Sequence, residues 1–407
     1  MGISIGKSTI QKRTSVRITG SKSESNRLLL LQSLFPDISI ENLSNSDDSQ
    51  LMQKALSSDS NLIDIHHAGT AMRFLTAYFA IQEGRTITLT GSKRMQERPI
   101  KILVDALKEL GADISYTKNE GYPPLLINGK KLNVSNVNIQ ANVSSQYISA
   151  LLLIGASLEN GLTVNLVGEL TSRPYLEMTL SLLNQIGIET SFNDSIIVVN
   201  PINSEITKQT IAVESDWSSA SYFYSITALS EIGTEIQLST YKLNSLQGDS
   251  VLTEIYLDLG VETTFEENQI TIKKIGEPQI SVLKRDLSEA PDIAQTIVVT
   301  CLGLKLPCKL TGLHTLKIKE TDRLVALYNE IKKLGNEIVI TDKSLSMSMI
   351  GDLKSNVGIN TYEDHRMAMA FAPLGLKTSI TINEAEVVSK SYPEFWNDLE
   401  SIGFHFL

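Results

Sequence analysis

The hydrophobic pattern along the chain changes period repeatedly. Val16 and Ile18 alternate with polar residues, as in a half-buried strand, and Leu28 to Leu31 then form an apolar run of helical character. Gly69 to Ile81 reads as a helix followed by a strand over Thr86 to Thr90. Pro99 to Leu110 reads as a second helix, with proline at its start, where the missing N–H costs nothing. The alternation returns as helix Ser144 to Ile154, strand Leu162 to Val167 and helix Tyr175 to Ile186. Strands separated by helices of about ten residues predict mixed α/β layers. Asn128-Gly129 predicts a hairpin turn between Leu125-Ile127 and a strand near Val134.

A punctuation recurs on a larger scale. Leu110-Gly111, Ile186-Gly187, Leu259-Gly260, Leu334-Gly335 and Ile402-Gly403 each close a helical stretch just before a strand, and glycine suits the left-handed position there. By subtraction, the successive glycines are 76, 73, 75 and 68 residues apart. So regular a period predicts one supersecondary unit used about six times. The first unit is the degenerate one, with Asp47 to Leu56 as its helix. Half of six units falls near Val213 to Asp216, which places a domain crossover there and makes Asp216 the cap of a helix starting at Trp217-Ser218-Ser219-Ala220. No G-x-G-x-x-G follows a strand, so a dinucleotide fold has no support.

At 407 residues the chain is too long for one ordinary core, and 42% apolar with 20% charged residues is a soluble globular composition. The net charge of −10 argues against nucleic-acid or anionic-membrane partners, so anionic ligands would need locally concentrated cations. No apolar run reaches spanning length, and Met1 to Ile10 has no signal-peptide core. Cys301 and Cys308 lack CxxC spacing and read as core thiols of a reducing compartment. A cytoplasmic enzyme is expected.

Cations gather where helices begin. Gly20-Ser21-Lys22-Ser23-Glu24-Ser25-Asn26-Arg27 lies at a strand-to-helix junction, where free N–H groups and the helix dipole favour an anion. Capping explains Ser23, Ser25 and Asn26 but not Lys22 and Arg27, which oppose the dipole. The segment is not a Walker A loop. Arg73 and Arg98, then Lys319 and Arg323, then Arg366 and Lys390 stand at or before other helix starts. Such termini converging on one place would trap anions. Ser144-Ser145-Gln146 opens a helix with hydroxyls and an amide that serve equally as caps or ligands, and Ser172, Arg173 and Tyr175 flank Pro174 at another start. Asp292, Glu320 and Asp364 are acids set among these cations; such neighbours depress a carboxyl pKa, so at neutral pH they are bases. Asp364 and Asp322 also read as dipole or ion-pair residues. His66-His67 has no metal-ligand spacing and no Gly-x-Ser-x-Gly elbow exists, leaving metal or acyl-enzyme chemistry without footing.

These segments, in order, resemble the 5-enolpyruvylshikimate-3-phosphate (EPSP) synthase family. The resemblance is carried by Gly20 to Ser23 with Asn26-Arg27, Ala68 to Arg73, and Glu97-Arg98-Pro99-Ile100. It continues through Ser144-Ser145-Gln146, Ser172 with Pro174-Tyr175, Lys319 to Leu324, and Asp364-His365-Arg366-Met367-Ala368. It implies a two-domain inside-out α/β barrel of six βαβαββ-like units, three per domain. Residues 1–20 plus 214–407 would form a discontinuous domain on the phosphoenolpyruvate and catalytic-carboxylate side, and 21–213 an inserted domain on the shikimate 3-phosphate side, with the active site in the cleft. It also implies a monomer with no metal or organic cofactor, no nucleic-acid partner and no membrane.

By the same resemblance, Lys22, Ser23, Arg27, Ser144, Ser145, Gln146, Ser172, Tyr175, Asp292 and Lys319 would hold shikimate 3-phosphate. Lys22, Gly69, Arg98, Gln146, Arg323, Arg366 and Lys390 would hold phosphoenolpyruvate. Asp292, Glu320 and Lys22 are the implied catalytic groups: a base for the 5-hydroxyl, a proton carrier at the methylene, and a donor or stabiliser of the departing phosphate. The chain departs from the family at His67, Phe74 and Thr315, where Asn, Pro and a substrate-binding Asn are usual. Gly69 leaves room for the family inhibitor glyphosate. The rival enolpyruvyl transferase acting on UDP-N-acetylglucosamine carries a loop cysteine that Gly91 to Arg98 lacks. A pure phosphometabolite-binding protein would gain nothing from acids in the pocket.

Overall fold

The computed structural model describes residues 2–407 except Val143, Glu169, Thr171, Ser172 and Ser204. Its helices are α1 (Lys22–Leu34), α2 (Asp47–Leu56), α3 (Gly69–Ala80), α4 (Lys101–Glu109), α5 (Ser145–Gly155) and α6 (Arg173–Gln185), then α7 (Trp217–Leu229), α8 (Leu252–Leu257), α9 (Ala294–Leu304), α10 (Arg323–Lys333), α11 (His365–Phe371) and α12 (Phe395–Ile402). None is long and apolar enough to cross a membrane among the described residues.

The chain divides into two compact units, one discontinuous (Met1–Thr19 with Glu214–Leu407) and one inserted (Gly20–Val213). Within them one motif repeats. Strand Leu62–Asp64, α3, strand Thr86–Thr90, α4, then strands Asp113–Tyr116 and Leu125–Asn128 form a sheet whose first two strands are parallel and whose last two add antiparallel. Asn136–Gln140, Leu162–Val167, Thr190–Asn193 and Ile196–Val199 repeat that pairing around α5 and α6. In the discontinuous unit it recurs around α7 and α8, with Arg13–Arg17 as first strand, and again around α9 and α10. Two versions are reduced. Among the described residues Gln209–Ala212 pairs only with Ile38–Glu41, beside α1 and α2, and a three-stranded sheet of Val357–Ile359, Ile380–Ile382 and Ile3–Ile5 accompanies α11 and α12. The degenerate first unit expected around Asp47 to Leu56 is the two-stranded one.

The glycines of the repeat have one physical job. Gly111, Gly187, Gly260, Gly335 and Gly403 adopt φ of 102°, 91°, 79°, 90° and 118°, the left-handed turn that ends α4, α6, α8, α10 and α12. The helices alternate in character. α3 and α11 are buried at every residue, and α5, α7 and α9 nearly so; a helix covered all round belongs inside. In each unit these inner helices pack on one another, α1 with α3 and α5, and α9 with α7 and α11.

Two expectations fail. Asn128-Gly129 is not a hairpin turn to a strand near Val134. Leu125–Asn128 pairs with the strands before it, while Asn136–Gln140 belongs to the next sheet. The glycine is required by proximity instead: a Cβ on Gly129 would lie 1.9 Å from the carbonyl oxygen of Gln82. Pro99 does not open α4, which begins at Lys101 with Ile100 at its cap. The carbonyl of Pro99 accepts from Tyr147 Oη at 2.6 Å and Arg73 Nη2 at 3.1 Å, so it is spent on tertiary bonds.

Gly20 opens the inserted unit, and a Cβ there would sit 1.9 Å from the Asn42 carbonyl oxygen and 2.7 Å from Val213. The neighbours are backbone and a β-branched side chain that cannot swing aside. Gly20→Ala is expected to lower unfolding free energy by about 1–3 kcal/mol, read as a lower urea midpoint at unchanged slope.

Candidate active site

In the inserted unit the candidate residues stand at helix N-termini. Lys22, Ser23 and Arg27 come from α1, Gly69 from α3, Ser144, Ser145 and Gln146 from the start of α5, and Tyr175 from the first turn of α6. Ser144 caps α5, its Oγ accepting from Gln146 N at 3.3 Å, and Gln146 Nε2 donates to Thr70 Oγ1 at 3.2 Å, tying the starts of α5 and α3 together. Ser172 lies outside the described residues.

The cations of this unit divide by job. Arg27 is 2% exposed and donates to Ser23 O (2.8 Å), Thr179 Oγ1 (2.7 Å), Ser149 Oγ (3.0 Å) and Tyr175 O (3.1 Å). Burial lowers its pKa to about 10, with Tyr175 and Glu24 partly opposing, and it remains a cation at neutral pH. It fastens α1 to α5 and α6. Arg73, expected among the anion-trapping cations, is turned inward onto the carbonyls of Gly69 and Pro99. Lys22 and Arg98, in contrast, make no ion pair among the described residues. The Arg98 guanidinium occupies the space beside Gly69, where a Cβ would stand 2.5 Å from Nη1.

The discontinuous unit is built oppositely, with each cation matched to an acid. Arg323, the first residue of α10 and 2% exposed in its side chain, bridges three carboxylates. Its Nε donates to Asp364 Oδ2 at 2.7 Å, Nη1 to Asp292 Oδ1 at 2.8 Å and Nη2 to Glu320 Oε2 at 2.8 Å. Asp292 also pairs with Lys319 and Arg366, each at 3.3 Å. Burial alone would raise the Asp292 pKa, but Arg366, Lys319 and Arg323 outweigh it and hold the carboxyl well below the ordinary range. Burial disfavours the Arg323 and Arg366 cations too, and their carboxylate neighbours more than reverse it.

The local sequence explains the placement. Asp322 caps α10 through its Oδ1, bonded to the N–H groups of Leu324 and Val325, which points Arg323 into the unit. Asp364 caps α11 by accepting from Arg366 N at 2.9 Å while holding Arg323, so the dipole and ion-pair readings of Asp364 are both realised. Tyr362 and Glu363, before that cap, adopt φ of 54° and 56°. Glu330 receives Tyr362 Oη at 2.5 Å, and Lys390 Nζ donates to Glu363 O at 2.7 Å, so this strained turn is fastened at both residues. Lys390 therefore lies on the turn that presents Arg366 rather than on the carboxylates.

Ser218 and Asp249 belong here as well. Arg366 Nη2 donates to Ser218 Oγ at 3.2 Å, and Ser218 in turn donates to Asp249, a buried carboxyl. Nothing in the sequence marked Asp249. It lies in a polar turn-like stretch, and only the helix turn over Gly248–Val251 carries it inward.

Residues 53–399 match the family model described as EPSP synthase (3-phosphoshikimate 1-carboxyvinyltransferase). The 3-phosphoshikimate 1-carboxyvinyltransferase of Bacteroides fragilis (strain YCH46) is 49% identical over 401 residues, covering 97% of this chain and 96% of that one. Its counterpart in Shewanella pealeana is 34% identical over 416 residues, covering 95% and 96%. Among solved structures, EPSP synthase from Acinetobacter baumannii superposes with TM-score 0.80 at 20% identity, covering 100% and 99% of the two chains. The enolpyruvyl transferase NikO from Streptomyces tendae gives 0.74 at 13% identity, covering 100% and 98%.

Proposed function

The chain belongs to the EPSP synthase family, and from that membership and the two residue assemblies we infer how it works. The reaction is transfer of the enolpyruvyl group of phosphoenolpyruvate to the 5-hydroxyl of shikimate 3-phosphate, giving 5-enolpyruvylshikimate 3-phosphate and phosphate, a step toward the aromatic amino acids. The observation that carries the residue roles is the pair of acids, Asp292 and Glu320, held by one buried guanidinium.

In the addition step, the 5-oxygen bonds to C2 of phosphoenolpyruvate while C3 gains a proton, leaving a tetrahedral ketal phosphate. In the elimination step, C3 loses a proton, the C2–O bond to phosphate breaks, and the double bond is restored. The same carriers therefore work in both directions. Asp292, kept ionised by its cations, accepts the hydrogen bond of the 5-hydroxyl. An anionic donor seated on Arg366, and the acceptor on Lys319, draw those charges away from it and raise its basicity in time for the proton. Glu320, tethered through Arg323 Nη2, is the proton carrier at C3. Lys22 and Arg98, uncompensated by acids among the described residues, suit the phosphate groups, with Lys22 on the departing one. Ser23, Ser144, Ser145, Gln146, Ser172 and Tyr175, with Arg27 as their scaffold, take shikimate 3-phosphate. Gly69, Arg98, Arg323, Arg366 and Lys390 serve phosphoenolpyruvate.

A cytoplasmic monomer is the remaining part of the reading. Cys301 and Cys308 support the compartment: they are buried neighbours that carry free thiols.

The test is phosphate release with both substrates present. Release that needs both, and that is not supported by UDP-N-acetylglucosamine as acceptor, supports the reading; no release sinks it. Gly69→Ala is expected to displace Arg98 and raise KM for phosphoenolpyruvate several-fold while sparing that for shikimate 3-phosphate. Equal changes in both KM values would remove Arg98 from the donor role. Inhibition by glyphosate is expected to weaken in the same variant.

A further inference from the structure

Asp249 stands behind the donor cations without touching the carboxylates they bind. It is 4% exposed, its Oδ2 accepts from Ser218 Oγ, and its Oδ1 has no hydrogen-bond partner. Ser218 passes the connection to Arg366, and Arg366 passes it to Asp292. The bonded network holds Lys319, Arg323 and Arg366 against four carboxyl groups, those of Asp292, Glu320, Asp364 and Asp249. With every acid ionised, the network is anionic by one charge before any ligand arrives. It must nevertheless accept a donor with a carboxylate and a phosphate. One acid has reason to be neutral.

We propose that Asp249 is a positioning residue that takes up a proton when the anionic donor binds, keeping Arg366 oriented through Ser218 without adding a repelling charge. This rests on the assignment of Arg366 to phosphoenolpyruvate made above. The neutral acid has a hydroxyl to donate and a carbonyl oxygen that still accepts from Ser218, so the chain Ser218–Arg366 survives protonation. The groups facing Asp249 are Asp216 and Ser218 at the start of α7, Asp292 ahead of α9, and Arg366 on α11. Burial first, then Asp292, raise its pKa to about 6, with Arg366 and Ser218 opposing. A bound anion at Arg366 pushes it further up. The sign follows: between about pH 6 and the higher value in the complex, binding absorbs a proton, and donor affinity falls as pH rises.

Asp249→Asn imitates the neutral form, because the amide oxygen can accept from Ser218. For a one-unit rise of the Asp249 pKa on binding, wild-type KM for phosphoenolpyruvate is expected to rise about fivefold more than that of Asp249→Asn between about pH 6 and 8, half of the full tenfold because Asp249 is already half ionised at pH 6 in the free protein. Comparing the two proteins cancels the titration of the donor's own phosphate. A KM ratio that stays constant over this range overturns the inference, while measurable turnover in the same assay leaves the proposed function standing. Calorimetry of wild type with phosphoenolpyruvate alone at about pH 7.5, in two buffers of different ionisation enthalpy, does not depend on the variant folding. Net proton uptake is expected; none, or net release, overturns it.

Discussion

Arg323→Met is expected to cost about 3–5 kcal/mol of stability and to abolish turnover. The guanidinium donates to Asp292, Glu320 and Asp364 at once, at 2.7–2.8 Å. Removing it leaves these acids facing one another in a buried place, and an uncompensated buried charge is costly. The deficit appears as a lower urea midpoint at about pH 7.5. Its pH dependence identifies the cause. Asp292 has a depressed pKa in the folded protein, so its stabilising contribution is present above the unfolded carboxyl value and is lost as pH falls through the folded one. In the variant Asp292 keeps Arg366 and Lys319 but loses Arg323, so part of that preference goes, and the gap to wild type must narrow as pH falls below the ordinary carboxyl value, under about pH 4. A gap independent of pH would mean that lost packing, not charge, is responsible. Arg323→Lys is expected to recover part of the stability and little of the turnover, because one ammonium cannot reproduce three divergent N–H directions.

Glu320→Gln separates chemistry from folding. The glutamine carbonyl can still accept from Arg323 Nη2, so the thermal midpoint should move little. The carried proton is gone, and kcat is expected to fall by about 10²–10⁴-fold with KM values nearly kept. In deuterated water, wild type should place solvent deuterium in the enolpyruvyl methylene, since protonation and deprotonation at C3 share one carrier, and the variant should not. A kcat within about threefold of wild type would move the role to another residue, with Lys22 next in line because it lacks an acid partner among the described residues. Lys22→Ala would then lose the deuterium exchange that Glu320→Gln retained.

The repeat and the cations at helix starts were legible in the sequence. Gly111, Gly187, Gly260, Gly335 and Gly403 could be read because a left-handed helix end is a local property, decided by one residue's backbone. Asp216, Asp322 and Ser144 were legible as caps, or near them, for the same reason. Local rules failed where a long-range neighbour decides. Gly129 carries the signature of a hairpin but serves a close approach to Gln82, and Pro99 looks like a helix start but spends its carbonyl on Arg73 and Tyr147.

The cations show the same division. Their residue type and position near helix starts are written in the chain. Their job depends on what folding sets beside them. Arg27 and Arg73 turn inward and hold helices and carbonyls; Arg323 becomes the common partner of three acids; Lys22 and Arg98 meet no acid among the described residues. Asp249 is the extreme case, an ordinary turn aspartate by sequence that only burial behind Ser218 makes into a group titrating at about pH 6. Backbone preferences act over a few residues, so the sequence by itself determined the helix ends, the repeat and the stock of charges. Desolvation and ion pairing depend on partners tens or hundreds of positions away, and these only the tertiary structure decided.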